Sequence, residues 1–266
     1  MITVVGSLNM DFVFKTAEIP KSGETLLGTG FHKTPGGKGN NQAAAAARLG
    51  SKVTMIGAVG KDDLGEELIQ SLKKDGVKTD YILKKQDVST GIASVVVEHS
   101  GNHAITVFSG ANDALAVEDM ERYHFVIEQS NVLLIQLDIP LLTVKKALTI
   151  AKRSSCLTIL NPSPASKLDT EILANSDILT PNESELELLS GHPVKTTEDV
   201  HAAGNKLLKR GVKLVIVSLS DKGCVCITQE GTTYYPGRRI VASDTTTASD
   251  CFNGALAVAF SEDKSI

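Results

Sequence analysis

The stretch Asn131-Val132-Leu133-Leu134-Ile135-Gln136-Leu137-Asp138-Ile139-Pro140-Leu141 joins two patterns. Val132–Leu137 is an apolar run too short for a helix, as expected of a strand buried on both faces. After Pro140, Leu141–Arg153 reads as a helix, and a second apolar run follows at Leu157–Leu160. Strand, helix, strand in that order is a parallel crossover unit.

The alternation continues on both sides. Upstream lie a strand at Ile2–Val5 opening onto Gly6-Ser7, a helix at Gln42–Leu49 stopped by Gly50, and a strand at Lys52–Val59. A helix at Asp62–Asp75, a strand at Thr79–Leu83 and a helix at Ala116–Gln129 follow. Downstream, a strand at Asp177–Leu179 precedes helices at Glu183–Leu189 and Thr196–Arg210, then a strand at Lys213–Leu219. A hairpin of Cys224–Thr228 with Thr232–Tyr235 leads to a last, Ala-rich helix from about Asp250 through Phe260. The pattern predicts an α/β fold with a doubly wound, mostly parallel sheet between helices. Two segments, about 10–33 and 90–108, alternate polar and apolar residues instead. Asn9–Phe14, Glu24–His32 and a hairpin around Ser100-Gly101-Asn102 are expected to form a small β-sheet lid over the carboxyl ends of the strands, where such folds bind ligands. The expected organisation is one α/β domain over residues 1–266 with the lid segments inserted in it.

Bulk composition narrows the function classes. With 42% hydrophobic against 22% charged residues, the 266-residue chain is globular rather than disordered. The net charge of −4 and the absence of a Lys/Arg block argue against nucleic acid or a membrane surface as partner. No apolar run approaches transmembrane length, and the N-terminus enters a strand directly. The four cysteines, Cys156, Cys224, Cys226 and Cys251, read as reduced thiols of a cytoplasmic protein; Cys224 and Cys226 alternate on one strand and share a face.

Chemistry concentrates at Ser243-Asp244-Thr245-Thr246-Thr247-Ala248-Ser249-Asp250-Cys251-Phe252-Asn253-Gly254-Ala255-Leu256. Small and hydroxyl residues leading into a helix offer N–H groups to an anion. Asp250, at or near the N-cap, is either an ordinary cap or a base beside that anion. Gly36-Gly37-Lys38-Gly39-Asn40-Asn41-Gln42 lacks the Ser or Thr of a Walker A loop. It is either a tight turn or a backbone cradle to which Lys38 and Asn41 add donors for sugar hydroxyls. Asn9 and Asp11, just past the first strand, admit turn chemistry or a bidentate reading of vicinal hydroxyls. Asn182-Glu183-Ser184-Glu185 opens a helix; its acids serve the helix dipole, or Asn182 and Glu185 offer oxygens to magnesium.

Together these motifs resemble the phosphofructokinase-B-type carbohydrate kinase family. Gly36-Gly37-x-Gly39-x-Asn41-x-Ala43 with Gly50 and Gly60 is similar to its first signature, and Asp244-Thr245 with Ala248, Asp250, Gly254, Ala255 and Leu256 to its second. Asn182-x-x-Glu185 is similar to its magnesium motif. Gly6–Asp11, Gly110-Ala111-Asn112, Gln136–Pro140 and Asn161–Ala165 resemble the ribokinase branch, in one colinear order over residues 1–260. The resemblance implies transfer of the ATP γ-phosphoryl group to the 5-hydroxyl of D-ribose. Asn9, Asp11, Gly37, Lys38, Asn41 and Asp138 would hold the sugar, and Asp250 would be the general base. Asn182, Ser218, Ser220, Gly223, Thr247, Ala248 and Ser249 would bind the nucleotide, with the amides of residues 247–250 as anion hole. Glu185 would serve Mg2+ through water, while Asp244 and Thr246 would lie at a site for K+. A homodimer through the lid is implied as well, since a flat β layer is not stable alone.

Several positions depart from the family pattern. Ser249 replaces a glycine and Thr247 a small Ala or Gly, so Ser249 is expected to be strained or to reshape the anion hole, acting as a brake. Ser220-Asp221 stands where glycine and a small residue are usual, and Asp138 where the longer Glu is usual. Family members continue for several tens of residues past the last motif helix. Parts of the adenine pocket and most of the cation loop are therefore expected to have no counterpart here. The alternatives are a kinase for another sugar or nucleoside, or a degenerate sugar-binding protein with little activity.

Overall fold

The computed structural model describes residues 1–100, 102–238 and 247–264. Its strands are β1 (Ile2–Val5), β2 (Asn9–Thr16), β3 (Gly30–Gly36), β4 (Val53–Gly60), β5 (Lys78–Lys85), β6 (Gly91–Glu98), β7 (His103–Phe108), β8 (Val132–Ile135), β9 (Leu157–Leu160), β10 (Ile178–Leu179), β11 (Leu214–Ser218), β12 (Gly223–Ile227) and β13 (Thr232–Pro236). The large sheet runs β13-β12-β11-β10-β9-β8-β1-β4-β5, parallel except for β12 and β13, which close it as the expected hairpin. A separate sheet runs β3-β2-β6-β7. Both architectures expected from the alternation are present.

Burial explains the central strands. In β1, Ile2 and Val4 face one apolar layer and Val5 the other, all without exposure. Thr3 is tolerated there because its hydroxyl meets that of Ser130 at 2.6 Å, which in turn donates to the Val126 carbonyl at 2.9 Å. Register positions the site. Val5 lies beside Ile135, Ile135 beside Leu160, and Leu160 beside Leu179. The next residues, Gly6, Gln136, Asn161 and Thr180, therefore line up along the carboxyl edge of the sheet.

Local chemistry moves several boundaries. The segment expected at Glu24–His32 begins only at Gly30 and runs on to Gly36, because residues 17–29 form a loop with Gly23 at φ 80°. The helix expected at Gln42 starts at Lys38, since the turn before it is Gly37 alone. The helix expected over Ala116–Gln129 is two, Val117–Arg122 and His124–Glu128, broken at Tyr123, which packs edge-on against Tyr81. A short helix at Thr170–Ala174, capped by Asp169, was not expected. Gly101, at the tip of the expected β6–β7 hairpin, lies outside the described residues; the two strands pair as anticipated.

Candidate active site

Gly37 is the hinge that places the first candidate residues. It sits at φ 90°, and a Cβ there would lie 2.8 Å from the Asn9 nitrogen and 2.9 Å from the Ser7 carbonyl. Helix Lys38–Arg48 thus begins flush against the β1–β2 connection, with Lys38 and Asn41 in its first turn. Its flank packs on helix Ala248–Ser261 where Gly254 meets Ala45 and the Gln42 carbonyl.

That packing delivers Asp250. It is the third residue of its helix rather than the cap, Thr247 holding that position. The Asp250 carboxylate is 5% exposed and accepts from Asn41 Nδ2 and from Gln42 Nε2, each at 3.0 Å. The first intrahelical bond runs from Cys251 N–H to the Thr247 carbonyl at 2.9 Å. The N–H groups of Ala248, Ser249 and Asp250 consequently stand at the open, positive end of a 14-residue helix.

Four carboxyls share one cation. Burial pushes Asp11 up to about 6, the Lys38 ammonium drawing it down and Asp250 raising it further. Burial likewise raises Asp138, Glu185 and Asp250, and Lys38 again opposes it at each. The Ser7 hydroxyl donates to Asp138 Oδ2, while buried Oδ1 has no partner among the described residues.

Asn9 and Asp11 open β2 of the small sheet, as expected of Asn9–Phe14, opposite Gly36 and Thr34. Asn9 Oδ1 accepts from Asn112 Nδ2 at 2.8 Å, and Asn112 Oδ1 accepts from the Leu8 N–H at 2.9 Å. The expected sugar residues therefore straddle both sheets around Lys38.

Among the residues expected to meet the nucleotide and metal, Asn182 and Glu185 cap each other: Asn182 N–H donates to Glu185 Oε2 at 2.9 Å, and Glu185 N–H to Asn182 Oδ1 at 2.8 Å. Asn182 bridges to Ser218 at the end of β11. Ser220 and Gly223 bound the turn to β12, with Ser220 at φ 54° and Gly223 at φ 107°. The strain expected at Ser249 is not found. This residue lies exposed in the first turn of helix Ala248–Ser261 and is not among the positive-φ residues, so it is under no glycine-only strain. Asp244 and Thr246, expected at a cation site, lie outside the described residues.

Ser7, Gln42, Asn112, Gln136 and Asn161 carry contacts that motif reasoning had assigned to none of them. A signal was available for Asn161, the polar residue directly after the apolar run Leu157–Leu160; Gln136 lay inside the strand expected at Val132–Leu137, which ends instead at Ile135.

A sequence profile described as pfkB family carbohydrate kinase matches residues 1–266. The ribokinase of Mus musculus is 39% identical over 259 residues, covering 96% of this chain and 80% of that protein. The deoxyribokinase of Salmonella typhi is 37% identical over 257 residues, covering 96% and 84%. Arabidopsis thaliana ribokinase, solved in complex with ribose and ATP, superposes with a TM-score of 0.92 at 33% identity, covering 99% of this chain and 86% of that one.

Proposed function

The chain belongs to the pfkB family of carbohydrate kinases and is a phosphotransferase acting on a sugar hydroxyl; on that footing we propose that it phosphorylates the 5-hydroxyl of D-ribose from ATP, with Asp250 as general base. The observation that carries the reading is Asp250 itself: a buried carboxylate held by two amide donors at the open end of a helix. Ionised, it takes the proton of an attacking hydroxyl; the N–H groups of Ala248, Ser249 and Asp250 receive charge on the transferred phosphoryl group. Lys38 balances the carboxyls around the sugar, and Asp11, Asn9, Asn41 and Asp138 read its hydroxyls. Positioning and electrostatics supply most of the acceleration in such transfers.

For magnesium, Asn182 Oδ1 and Glu185 Oε2 are engaged by the reciprocal cap and the Ser163 hydroxyl also favours the ionised Glu185, so Oε1 is the hard oxygen the cap does not use. One carboxylate oxygen suits an ion held chiefly by phosphates and water, and no three-ligand cluster occurs among the described residues. When bound with ATP, the ion neutralises charge on the phosphoryl oxygens. A potassium requirement rests on the resemblance of Asp244 and Thr246 alone.

Ribose is favoured by the ribokinase relatives. A second reading, 2-deoxyribose, is favoured by the Salmonella relative. A coupled ADP-release assay with ribose and 2-deoxyribose, with and without potassium, tests both; no turnover with either sugar defeats the proposal. The exposed apolar residues Ile105 and Val107 lie on β7, and Val107 pairs through Ala93 to the face that carries Asp11. We propose a homodimer through this face, which light scattering would show as a single species of twice the chain mass. Four free cysteines accord with a reducing, cytoplasmic setting.

A further inference from the structure

We infer that Gln42 is a positioning residue for Asp250: its amide fixes the orientation of the base and holds its negative charge, through a buried relay that starts at Gln136. The inference rests on the reading of Asp250 as the base.

Gln42 has no exposure, so it cannot touch a substrate. Its Nε2 donates to Asp250 Oδ1 at 3.0 Å and to Asn161 Oδ1 at 3.1 Å, and its Oε1 accepts from Gln136 Nε2 at 2.7 Å. An ionised carboxylate only accepts, so the nitrogen of Gln42 must face it. A flipped amide would set Oε1 against two acceptors and Nε2 against the Gln136 donor. The direction of the relay is therefore dictated rather than chosen.

The Asn161 branch is anchored by a hydrogen bond; the Gln136 end is held by packing, its buried Oε1 having no hydrogen-bond partner among the described residues. Gln136 occupies space that only a glycine at position 6 leaves free, since a Cβ on Gly6 would fall 2.0 Å from Gln136 Oε1. Asn161 Nδ2 donates onward to the Thr180 carbonyl at 3.3 Å. These residues are neighbours in one row along the carboxyl edge of the sheet. The row is thus fixed by the register of the buried strands, and Gln42 is the arm that reaches from it to the base. Asn41, by contrast, is half-buried and holds the other oxygen, Oδ2, where it can also meet a sugar.

The charged groups facing Asp250 are Lys38 from its neighbouring helix, Asp138 from the loop after β8 and Asp11 from β2, with Glu185 facing Lys38. Burial and Asp138 oppose ionisation of Asp250; Gln42, Asn41 and Lys38 favour it. Losing the Gln42 donor leaves the opposing pair less balanced, and the protonation midpoint must rise.

Gln42→Met keeps side-chain length without a donor. In protein labelled with [13C]aspartate, the Asp250 signal is the one lost in Asp250→Asn, and its titration is read without turnover. Gln42→Met should raise the midpoint by about one pH unit or more, the scale of one hydrogen bond to a charged group. The acid limb of kcat should move up with it, since the base works only when ionised, while the sugar KM stays within about twofold. A folded Gln42→Met with an unmoved midpoint overturns the inference, whatever its melting temperature. If Gln42→Met does not fold, Gln136→Met, remote from the carboxylate, should shift the midpoint in the same direction by less; no shift there overturns it. Retained turnover in Asp250→Asn would instead sink the base assignment, leaving the titration result to stand separately.

Discussion

Asn41 Nδ2 lies 3.0 Å from Asp250 Oδ2 across 209 positions of sequence. The contact joins the two family signatures into one site, and it exists because two helices cross closely enough for first-turn side chains to meet. On the proposed reading, sugar reader and base are thereby coupled: a hydroxyl held by Asn41 would be delivered beside the carboxylate.

Asp250→Asn should fold and retain most sugar affinity while losing at least roughly 100-fold in kcat, the low end for a positioned base. Its amide must turn one N–H toward Asn41 or Gln42, both donors, so a small drop in melting temperature is also expected. Steady-state kinetics with calorimetric sugar titration checks both, and a kcat near wild type would remove Asp250 from the mechanism.

Gly254→Ala addresses the crossing. The new methyl would fall 2.8 Å from Ala45 Cβ and 2.9 Å from the Gln42 carbonyl, so the helices must part. Overpacking of this kind costs about 1–3 kcal/mol. A thermal melt should fall by several degrees, and kcat should fall with it because Asp250 rides on the displaced helix. An unchanged melt would mean that the crossing is loosely packed.

The strand–helix alternation made the fold legible, because strands buried on both faces are written as unbroken apolar runs such as Val132–Ile135. Asp250 and Lys38 stood out through the motifs that contain them and not through residue type, since Asp250 alone admits a cap as well as a base. Relay residues were not: Gln42 sits inside an Ala-rich helix, and nothing local shows that it faces a carboxylate from the far end of the chain. Of the two outcomes expected at Ser249, strain is absent because the helix here already includes that residue. The division of Asn182 and Glu185 between capping and metal binding needs atoms, not spacing.

Asp11 should make sugar binding depend on pH. Burial raises its carboxyl to about 6; above that value it is ionised and accepts hydroxyl protons, and below it is neutral. Ribose affinity should therefore rise through about 6 and level off, and Asp11→Asn should flatten the profile. Asp11→Ala should weaken binding by about 1–3 kcal/mol, through donors left unpaired. Stability moves the opposite way. A carboxyl raised in the native state favours folding below its unfolded value of 3.8, and that contribution is lost as pH rises through about 6. Calorimetry on either side of 6 tests the binding claim, and a flat wild-type profile would refute it.

Glycine substitutions at Ser220 and Ser249 should have opposite effects on stability. Ser220 holds φ 54° in the turn where Leu219 N–H reaches the Gly223 carbonyl at 2.8 Å. A left-handed conformation costs an L-residue about 1–2 kcal/mol, and glycine avoids most of that while adding unfolded-state entropy of about 0.5–1 kcal/mol. Ser220→Gly should thus raise the melting temperature slightly, by about 1–3 °C for a chain of this size. Ser249 has no such strain to relieve. It is helical and exposed, so Ser249→Gly should cost up to about 1 kcal/mol in helix stability. Its backbone N–H already stands at the open helix end, and loosening that turn gives the amide nothing it lacks. No gain in kcat is expected from Ser249→Gly, and a rise of several-fold would show that the hydroxymethyl group, rather than the backbone, crowds the phosphoryl site.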